Sequence, residues 1–332
     1  MQPLQHITII GGGSWATALV KIFSESNIRV TWYLRSQQQV DYLLAHGRNR
    51  NYLGFLQLDL QFIRPVSSLK EAVASADDVL FAVPSVYLEQ ELAPLAPPAV
   101  TGKNLYVSVK GIVSEDLLIP SVFLSKFFQH PVKNITVLAG PCHAEEVAAG
   151  RKTYLTIAGK NDKLVVRMAK AITSHYISTV KNSDPHGVEY AGILKNVIGI
   201  ASGMVKGMNY GDNFLAVVIC NAMKEVSQFL QAVDHAPRNL YDSAYFGDLL
   251  VTAYSPFSRN RTFGEMIGRG YSIPLAESRM SMTAEGQPAV KGILQMAKMI
   301  GLHMPVISAV YRMLYQHASP YAEFKLLENQ LR

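Results

Sequence analysis

Up to about residue 180, short apolar runs rich in β-branched residues alternate with stretches whose apolar positions repeat at the helical period. Such runs are typical of strands, and their regular alternation with helices is typical of a doubly wound sheet. The predicted strands cover residues 7–10, 28–34, 59–63, 79–83, 105–109, 135–139, 154–158 and 176–180. This pattern predicts an α/β fold class.

The pattern changes after residue 184, where the β-rich runs stop and long segments with a 3.6-residue apolar period continue to residue 332. We therefore expect two domains, a doubly wound domain over residues 1–184 and an all-helical domain over residues 185–332, which begins with a helix near His186. Ligands of doubly wound sheets bind beyond the carboxyl ends of the strands. Functional groups are expected at that edge and on the helical domain that covers it.

The first apolar run passes directly into a glycine turn and then into a helical segment. Gly11, Gly13 and Ala16 fit the G-x-G-x-x-G/A fingerprint of a Rossmann-like, dinucleotide-binding domain. Gly11 permits the tight turn, Gly13 lets the backbone approach a pyrophosphate, and Ala16 lets the helix pack on the strand. The N–H groups at the start of that helix would bind phosphate oxygens. A glycine-rich turn can also be a plain tight loop, but its place at the opening of a βαβ unit favours the cofactor site.

The end of the second predicted strand bears on which nicotinamide cofactor binds. Arg35 and Ser36 stand where an NAD-preferring site would present a carboxylate to the adenosine ribose. A guanidinium there can instead bind a 2′-phosphate and stack on adenine, so the sequence makes NADPH plausible beside NADH. The alternative is an ordinary exposed arginine.

Composition and charge narrow the class of protein. The chain has 31 Lys and Arg against 25 Asp and Glu, a net charge of +6, but the basic residues are spread out and do not form a nucleic-acid patch. Cys142 and Cys220 offer neither a disulfide framework nor metal-ligand spacing. No apolar run is long enough for a membrane span or a secretory signal. We expect a cytoplasmic protein that acts on a small molecule without a metal. Its oligomeric state stays open, with a homodimer as one candidate.

Three predicted strand ends in the first domain carry candidate chemistry. Ser85 follows a Val-Pro pair and is expected to cap the next helix, although cofactor contact is an equal alternative. Lys110 places an ammonium group at a strand end, where it would point into the crevice. His143 invites interpretation as a general base, but Glu145 and Glu146 follow it in a first helical turn, which favours a structural role.

The helical domain opens with a mostly apolar helix that contains Lys195. Its neighbours on the helix face are Gly192 and Gly199, and each glycine costs about 1 kcal/mol of helix propensity. The glycines either leave space for a ligand beside the ammonium group or allow close helix packing. A lysine whose pKa is lowered by burial or by a cationic neighbour is a competent proton shuttle. Asn196 could fix a substrate hydroxyl by a hydrogen bond.

Two further segments of the helical domain could complete a site. Asp248 is either a helix N-cap or a buried carboxylate that orients Lys195. Ser258, Arg259, Asn260 and Arg261 place hydroxyl, guanidinium and amide donors in one turn that opens a helix, as a phosphate site requires. A solvated basic helix start is the alternative.

Taken together, these motifs resemble the bacterial type of the NAD(P)-dependent glycerol-3-phosphate dehydrogenase family. Seven of them stand in the family's order: the fingerprint at residues 11–16, Lys110-Gly111, Gly140-Pro141, Leu194-Lys195-Asn196, Gly247-Asp248-Leu249, Ser258-Arg259-Asn260-Arg261 and Ala284-Glu285-Gly286. Each motif is weak alone, and the ordered set is specific. The resemblance implies interconversion of dihydroxyacetone phosphate and sn-glycerol 3-phosphate, which supplies the glycerol phosphate of phospholipids.

The resemblance also implies roles for individual residues. Lys195 would exchange the proton at the C2 oxygen, and Asp248 and Lys110 would place the substrate and tune that lysine. The implied substrate-binding residues are Lys110, Gly140, Cys142, Lys195, Asn196, Asp248, Ser258, Arg259 and Asn260. The implied cofactor-binding residues are Gly11, Gly13, Ser14, Trp15, Arg35, Lys110, Ala144, Arg259 and Glu285. Hydride would move directly between nicotinamide C4 and substrate C2, so no metal is required.

Two departures from the family pattern and two rival functions remain. Many relatives carry Arg where this chain has Leu215, and residues 287–289 read Gln-Pro-Ala. A dehydrogenase of β-hydroxy acids would share the nucleotide-binding half, but the turn at residues 258–261 argues against it. A non-catalytic nucleotide sensor would have no need of Lys195 between two glycines in a buried helix.

Overall fold

The computed structural model describes residues 2–280 and 282–332. These residues form two compact units, and a short segment leaves the first unit to join the second. The first unit contains the sheet and extends to residue 185, and the second comprises Lys110–Ile112 and His186–Arg332. Lys110 therefore belongs to the helical unit, although its position in the chain lies between strands.

An eight-stranded sheet forms the centre of the first unit, in the order β3-β2-β1-β4-β5-β6-β7-β8. All neighbouring strands in it are parallel except β6 and β7. The strands are β1 (His6–Ile10), β2 (Arg29–Tyr33), β3 (Ile63–Val66), β4 (Asp78–Phe81), β5 (Asn104–Val107), β6 (Ile135–Ala139), β7 (Thr153–Ala158) and β8 (Ile177–Asn182). The predicted α/β class with a doubly wound sheet is confirmed.

One predicted strand was misplaced. Residues 60–62 form a short 3-10 turn, which the Asp59 side chain caps at the Gln61 N–H, and the strand begins only at Ile63. Strand β3 contains Pro65, which cannot donate a ladder hydrogen bond. It is tolerated because β3 is an edge strand. Strand β5 is also shorter than expected, so that Lys110 lies three residues beyond its last residue, Val107.

Helices follow most of the strands in the first unit. They are α1 (Ser14–Glu25), α2 (Gln37–His46), α3 (Leu69–Ala74), α4 (Ser85–Leu92), α5 (Pro120–Phe128), α6 (Ala144–Ala148) and α7 (Asp162–Ile172). The Ser36 side chain caps α2 by accepting a hydrogen bond from the Gln39 N–H. Ser85 is not the predicted cap of α4, because Pro84 occupies the N-cap position and Ser85 is already helical.

Helices also make up the second unit. They are α8 (Pro185–Gly207), α9 (Asp212–Val233), α10 (Asp248–Tyr254), α11 (Arg259–Gly268), α12 (Ile273–Arg279), α13 (Gly286–Met299), α14 (Pro305–Tyr315) and α15 (Pro320–Glu328). Every residue of α8 from 191 to 200 is buried. A helix that is buried on all sides is expected at the centre of its unit, and the predicted helical character of this part of the chain is confirmed.

Glycines let α8 and α11 approach until their backbones touch. A Cβ added at Gly203 would overlap the Arg261 carbonyl oxygen, and one at Gly264 would overlap the Ile200 carbonyl oxygen. At Gly199 an added Cβ would stand 2.8 Å from a Thr252 methyl carbon and 3.2 Å from the Asn260 Cβ. Close helix packing, the second of the two sequence alternatives, therefore accounts for Gly199.

Candidate functional site

The glycine turn between β1 and α1 has the geometry expected of a pyrophosphate site. Gly11 has a φ of +133°, and a Cβ there would lie 2.5 Å from the Ala82 carbonyl oxygen. At Gly13 an added Cβ would meet no atom within 4 Å. Ala16 is fully buried on the sheet side of α1. Only Gly11 is thus required by the fold, while Gly13 borders open space that a ligand can use.

Two side chains that the sequence analysis did not single out hold this turn. The indole nitrogen of Trp32 donates to the Gly11 carbonyl oxygen at 2.7 Å. The Nδ2 of Asn49 donates to the Gly12 carbonyl oxygen at 3.0 Å and to the Thr17 hydroxyl at 2.8 Å. Both side chains are buried, and neither lies within a recognisable motif, so no local signal identifies them.

The residues after the glycine turn are fixed by the sheet. Ser14 is buried at the start of α1. The indole nitrogen of Trp15 donates to the Ser108 hydroxyl at 2.7 Å, and that hydroxyl donates to the Leu138 carbonyl oxygen at 2.8 Å. Trp15 is thereby tied to the region where β5 and β6 end.

Arg35 lies beyond the end of β2 and is exposed. Among the residues that the structure describes, its side chain has no hydrogen bond or ion pair. An exposed guanidinium at this strand end remains accessible to a phosphate group.

The turn after β6 is a second place where glycine is required. Gly140 has a φ of +104°, and a Cβ there would lie 3.0 Å from the Tyr154 carbonyl oxygen. The Cys142 thiol donates to the Gly140 carbonyl oxygen at 3.1 Å. His143 occupies the N-cap position of α6 but makes no side-chain cap bond, and Ala144 is the first residue of that helix.

The helical unit brings three charged groups from distant parts of the chain together. The Nζ of Lys195 lies 2.6 Å from one carboxylate oxygen of Asp248, and the Nζ of Lys110 lies 3.0 Å from the other. Lys195 also donates to the Thr252 hydroxyl at 2.9 Å, and that hydroxyl donates to the Asp248 carbonyl oxygen at 2.8 Å. Two ammonium groups therefore share one carboxylate and leave a net positive charge.

The sequence left two alternatives for Asp248, a helix N-cap or a buried carboxylate, and the structure shows the buried carboxylate. It is 1% exposed and is the first helical residue of α10, directly after a π-helical turn, Ser243–Gly247. Burial raises the pKa of this carboxyl, but the Lys110 and Lys195 ammonium groups outweigh burial and hold the pKa below its usual value. The group is therefore ionised at neutral pH, and it fixes both lysines.

Thr252 was missed by the sequence analysis, although it lies one turn after Asp248 on the same helix. Side chains four residues apart lie on one helix face, so an inward-facing Asp248 implies that Thr252 also faces inward.

Two residues of α8 contact Lys110. Asn196 donates from Nδ2 to the Lys110 carbonyl oxygen at 3.2 Å. Gly192 lies beside the Lys110 side chain, at 3.6 Å from an added Cβ to the Lys110 Cγ.

The first turn of α11 places polar groups at a helix N-terminus. Ser258 caps the helix by accepting from the Arg261 N–H at 3.3 Å, and it is 2% exposed. Asn260 is also buried, whereas Arg259 is exposed and its Nη1 lies 3.6 Å from the Met282 sulfur. Within the described residues, neither the Asn260 Nδ2 nor the Ser258 hydroxyl proton has an acceptor. Hydrogen-bond donors that lack an acceptor in a largely buried turn are suited to binding an anion.

Glu285 occupies the N-cap position of α13 without capping it through its side chain. Both departures from the family pattern involve residues of helices. Leu215 is buried in α9. Gln287 donates from Nε2 to the Glu277 carboxylate at 2.7 Å, which ties α12 to the start of α13.

A dinucleotide-type glycine turn on a parallel sheet, together with a lysine and carboxylate cluster in a helical unit, defines the class of two-domain nicotinamide-dependent dehydrogenases. The chain matches the model of the NAD-dependent glycerol-3-phosphate dehydrogenase N-terminus over residues 6–165 and that of the C-terminus over residues 184–325. The chain belongs to this family, and the resemblance stated from the sequence is confirmed.

Relatives and solved structures agree with the family match. A glycerol-3-phosphate dehydrogenase (NAD(P)+) of Salinibacter ruber is 34% identical over 98% of this chain and 95% of its own length. One of Staphylococcus aureus is 34% identical over 95% of each. The crystal structure of glycerol-3-phosphate dehydrogenase from Coxiella burnetii aligns with a TM-score of 0.92 at 25% identity, covering 98% of this chain and 99% of that one.

Two kinds of feature are absent from the described residues. None of their helices is long and apolar enough to cross a membrane. No group of three or more His, Cys, Asp or Glu side chains among them is arranged to hold a metal ion.

Proposed function

We propose that the protein interconverts dihydroxyacetone phosphate and sn-glycerol 3-phosphate with NADPH or NADH. The observation that carries this proposal is the cluster of Lys195, Asp248 and Lys110, two ammonium groups on one buried carboxylate. Family membership and the relatives' names support the substrate pair. In that role the protein would supply glycerol phosphate for phospholipid synthesis.

Lys195 is the proton donor when the ketone is reduced and the proton acceptor when the alcohol is oxidised. In the reducing direction its ammonium group gives a proton to the oxygen on C2 and regains one from solvent. Asp248 keeps the Lys195 Nζ in place from 2.6 Å, and Thr252 holds the same atom from 2.9 Å. Lys110 contributes a second positive charge, which favours negative charge that develops on the substrate oxygen.

The residues around the glycine turn fit a nicotinamide dinucleotide. The turn supplies the left-handed Gly11, the open space beside Gly13 and the first N–H groups of α1 for the pyrophosphate. When bound, the cofactor supplies or accepts hydride at nicotinamide C4. Arg35 would bind the adenosine 2′-phosphate. The other proposed cofactor positions are Ser14, Trp15, Lys110, Ala144, Arg259 and Glu285.

The first turn of α11 binds the phosphate of the substrate. Ser258 and Asn260 are buried residues, and neither the Ser258 hydroxyl proton nor the Asn260 Nδ2 has an acceptor among the described residues. The exposed Arg259 adds a planar cation. The phosphate takes no part in the reaction, so binding it helps to orient the reacting C2, which raises kcat as well as lowering KM. Gly140, Cys142 and Asn196 are the remaining proposed substrate positions.

Cofactor oxidation tests the proposal, with dihydroxyacetone phosphate and unphosphorylated dihydroxyacetone compared at matched concentrations of NADPH and of NADH. We expect turnover of the phosphorylated ketone only. Arg259→Ala should lower kcat/KM for dihydroxyacetone phosphate by about ten- to a hundredfold, as loss of a charged hydrogen bond predicts.

Arg269→Ala is the matched control, because Arg269 is the C-cap residue of the same helix and pairs with Glu265 on the surface. Its kinetics should equal those of the native enzyme. Absence of turnover with either nicotinamide would reject the proposed reaction. A cytoplasmic location and a homodimer stay predictions, which cell fractionation and light scattering would check.

A further inference from the structure

Asn260 makes a buried contact that phosphate binding does not require. Its Oδ1 accepts a hydrogen bond from the backbone N–H of Gly286 at 2.9 Å. A backbone N–H only donates, so this contact determines which end of the Asn260 side-chain amide is the oxygen. The Nδ2 is therefore the end left for another partner.

Gly286 occupies a site with no spare room. A Cβ there would overlap the Asn196 carbonyl oxygen and would lie 3.0 Å from the Asn260 Oδ1. On its other side, Asn260 packs against Gly199, where an added Cβ would stand 3.2 Å from the Asn260 Cβ. The Asn260 side chain is thus confined between α8 and the start of α13.

The contact also completes a helix terminus. Gly286 is the first residue of α13, and the N–H groups of a first helical turn have no partner within their own helix. The residue at the N-cap position, Glu285, does not cap the helix with its side chain. Asn260 therefore acts as a cap supplied by a different helix, and it fixes the turn that presents Glu285.

We propose that Asn260 is a positioning residue for the cofactor, whose Oδ1 holds the turn formed by Glu285 and Gly286 while its Nδ2 binds the substrate phosphate. This inference rests on the proposed function, in which Glu285 belongs to the cofactor site. It adds that nicotinamide affinity depends on a residue of the phosphate-binding turn even when no substrate is present.

The test is NADPH binding to the full chain without substrate, measured by calorimetry, for native protein, Asn260→Ala, Asn260→Asp and the control Asn329→Ala. Asn329 is exposed at the end of α15 and has no side-chain hydrogen bond among the described residues. Asn260→Ala should raise the Kd for NADPH about five- to tenfold, as loss of one buried hydrogen bond predicts.

Asn260→Asp separates the two ends of the amide. Its carboxylate still accepts the Gly286 N–H, so the Kd for NADPH should stay close to the native value. The same variant replaces the donor with an acceptor, so its KM for dihydroxyacetone phosphate should rise at least tenfold. Hydrogen exchange of the peptide that contains Gly286 should accelerate in Asn260→Ala and not in Asn260→Asp.

Native NADPH affinity in Asn260→Ala would overturn the proposal, and so would a rise of fivefold or more in the Kd for NADPH in Asn260→Asp. Asn260→Asp keeps the capping acceptor, so it remains decisive if Asn260→Ala does not fold. Failure of the proposed function has a different signature, since native protein would then bind no nicotinamide or would not reduce dihydroxyacetone phosphate.

Discussion

Glycines leave open space in the first turn of the sheet unit, whereas in the helical unit they allow two helices to close the space between them. In the turn after β1, Gly11 adopts a backbone conformation that other residues rarely adopt, and Gly13 keeps a space open. In the second unit, Gly203 and Gly264 have ordinary helical backbone, and they allow α8 and α11 to fill the space between them with backbone contact. Gly13 of the turn thus leaves space for a ligand, whereas Gly203 and Gly264 of the helix pair leave none.

The two units also assemble their chemistry differently. The pyrophosphate turn lies within six consecutive residues, 11–16. In contrast, Asp248 is 138 positions from Lys110 and 53 positions from Lys195, and only folding brings them together. Substitutions in the pyrophosphate turn should therefore affect cofactor binding, whereas substitutions in the cluster of Lys110, Lys195 and Asp248 should affect proton transfer.

The largest expected effect is on the assembled cluster. Lys195→Ala should lower kcat by about 10²- to 10⁴-fold, because general acid and base catalysis is lost, while NADPH still binds. Steady-state kinetics and calorimetry measure the two properties. Lys206→Ala, on the exposed end of α8, is the control. A near-native kcat in Lys195→Ala would remove this residue from the mechanism.

Paired glycine substitutions test the opposite effects of glycine directly. Gly203→Ala should lower the free energy of unfolding by about 3 kcal/mol, because the new Cβ meets backbone that cannot move aside. Gly13→Ala should leave the melting temperature near native and weaken NADPH binding. Equal melting temperatures for both variants would contradict the difference drawn between turn and helix glycines.

Arg35→Ala should affect only the cofactor. NADPH binding should weaken by about 1.5–3 kcal/mol and NADH binding by less, since only NADPH carries the 2′-phosphate. Titration of each cofactor gives both Kd values. Equal losses would mean that Arg35 stacks on adenine without binding phosphate.

The smallest expected effect concerns a carboxyl group of the second unit outside the proposed site. Glu225 accepts the Val306 N–H at 2.6 Å and the Ile307 N–H at 3.1 Å at the start of α14. Burial raises its pKa to about 7, against the opposing effect of both N–H bonds. The folded protein thus holds this proton more tightly than the unfolded chain does, so stability is greatest below the unfolded pKa and falls as pH rises through about 7.

Native protein should lose about 1 kcal/mol of unfolding free energy between pH 6 and pH 8 from this group. Glu225→Gln should show a flatter dependence in urea titrations at each pH. An unchanged pH dependence in that variant would assign the effect to another group.

Much of the fold was predictable because its signals are local. Strand-forming runs, a glycine turn and helical periodicity each depend on neighbouring residues, and seven of the predicted strands overlap the observed ones over most of their length. The eighth predicted strand, at residues 59–63, was misplaced because Asp59 stabilises a local turn there, and because Pro65 is tolerated in the edge strand that follows. Ser85 failed as a cap because Pro84 occupies the N-cap position and Ser85 is already the first helical residue.

The sequence by itself determined the two kinds of domain, the dinucleotide turn and the residue types available for proton transfer and phosphate binding. Tertiary structure decided which of them meet: that Lys110 joins the helical unit, that Asp248 faces inward to hold two lysines, and that Asn260 contacts Gly286. It also recruited Trp32, Asn49 and Thr252, which no motif marks. Turn conformation and helical periodicity are properties of short segments, whereas pairing of buried charges depends on packing between segments that are distant along the chain.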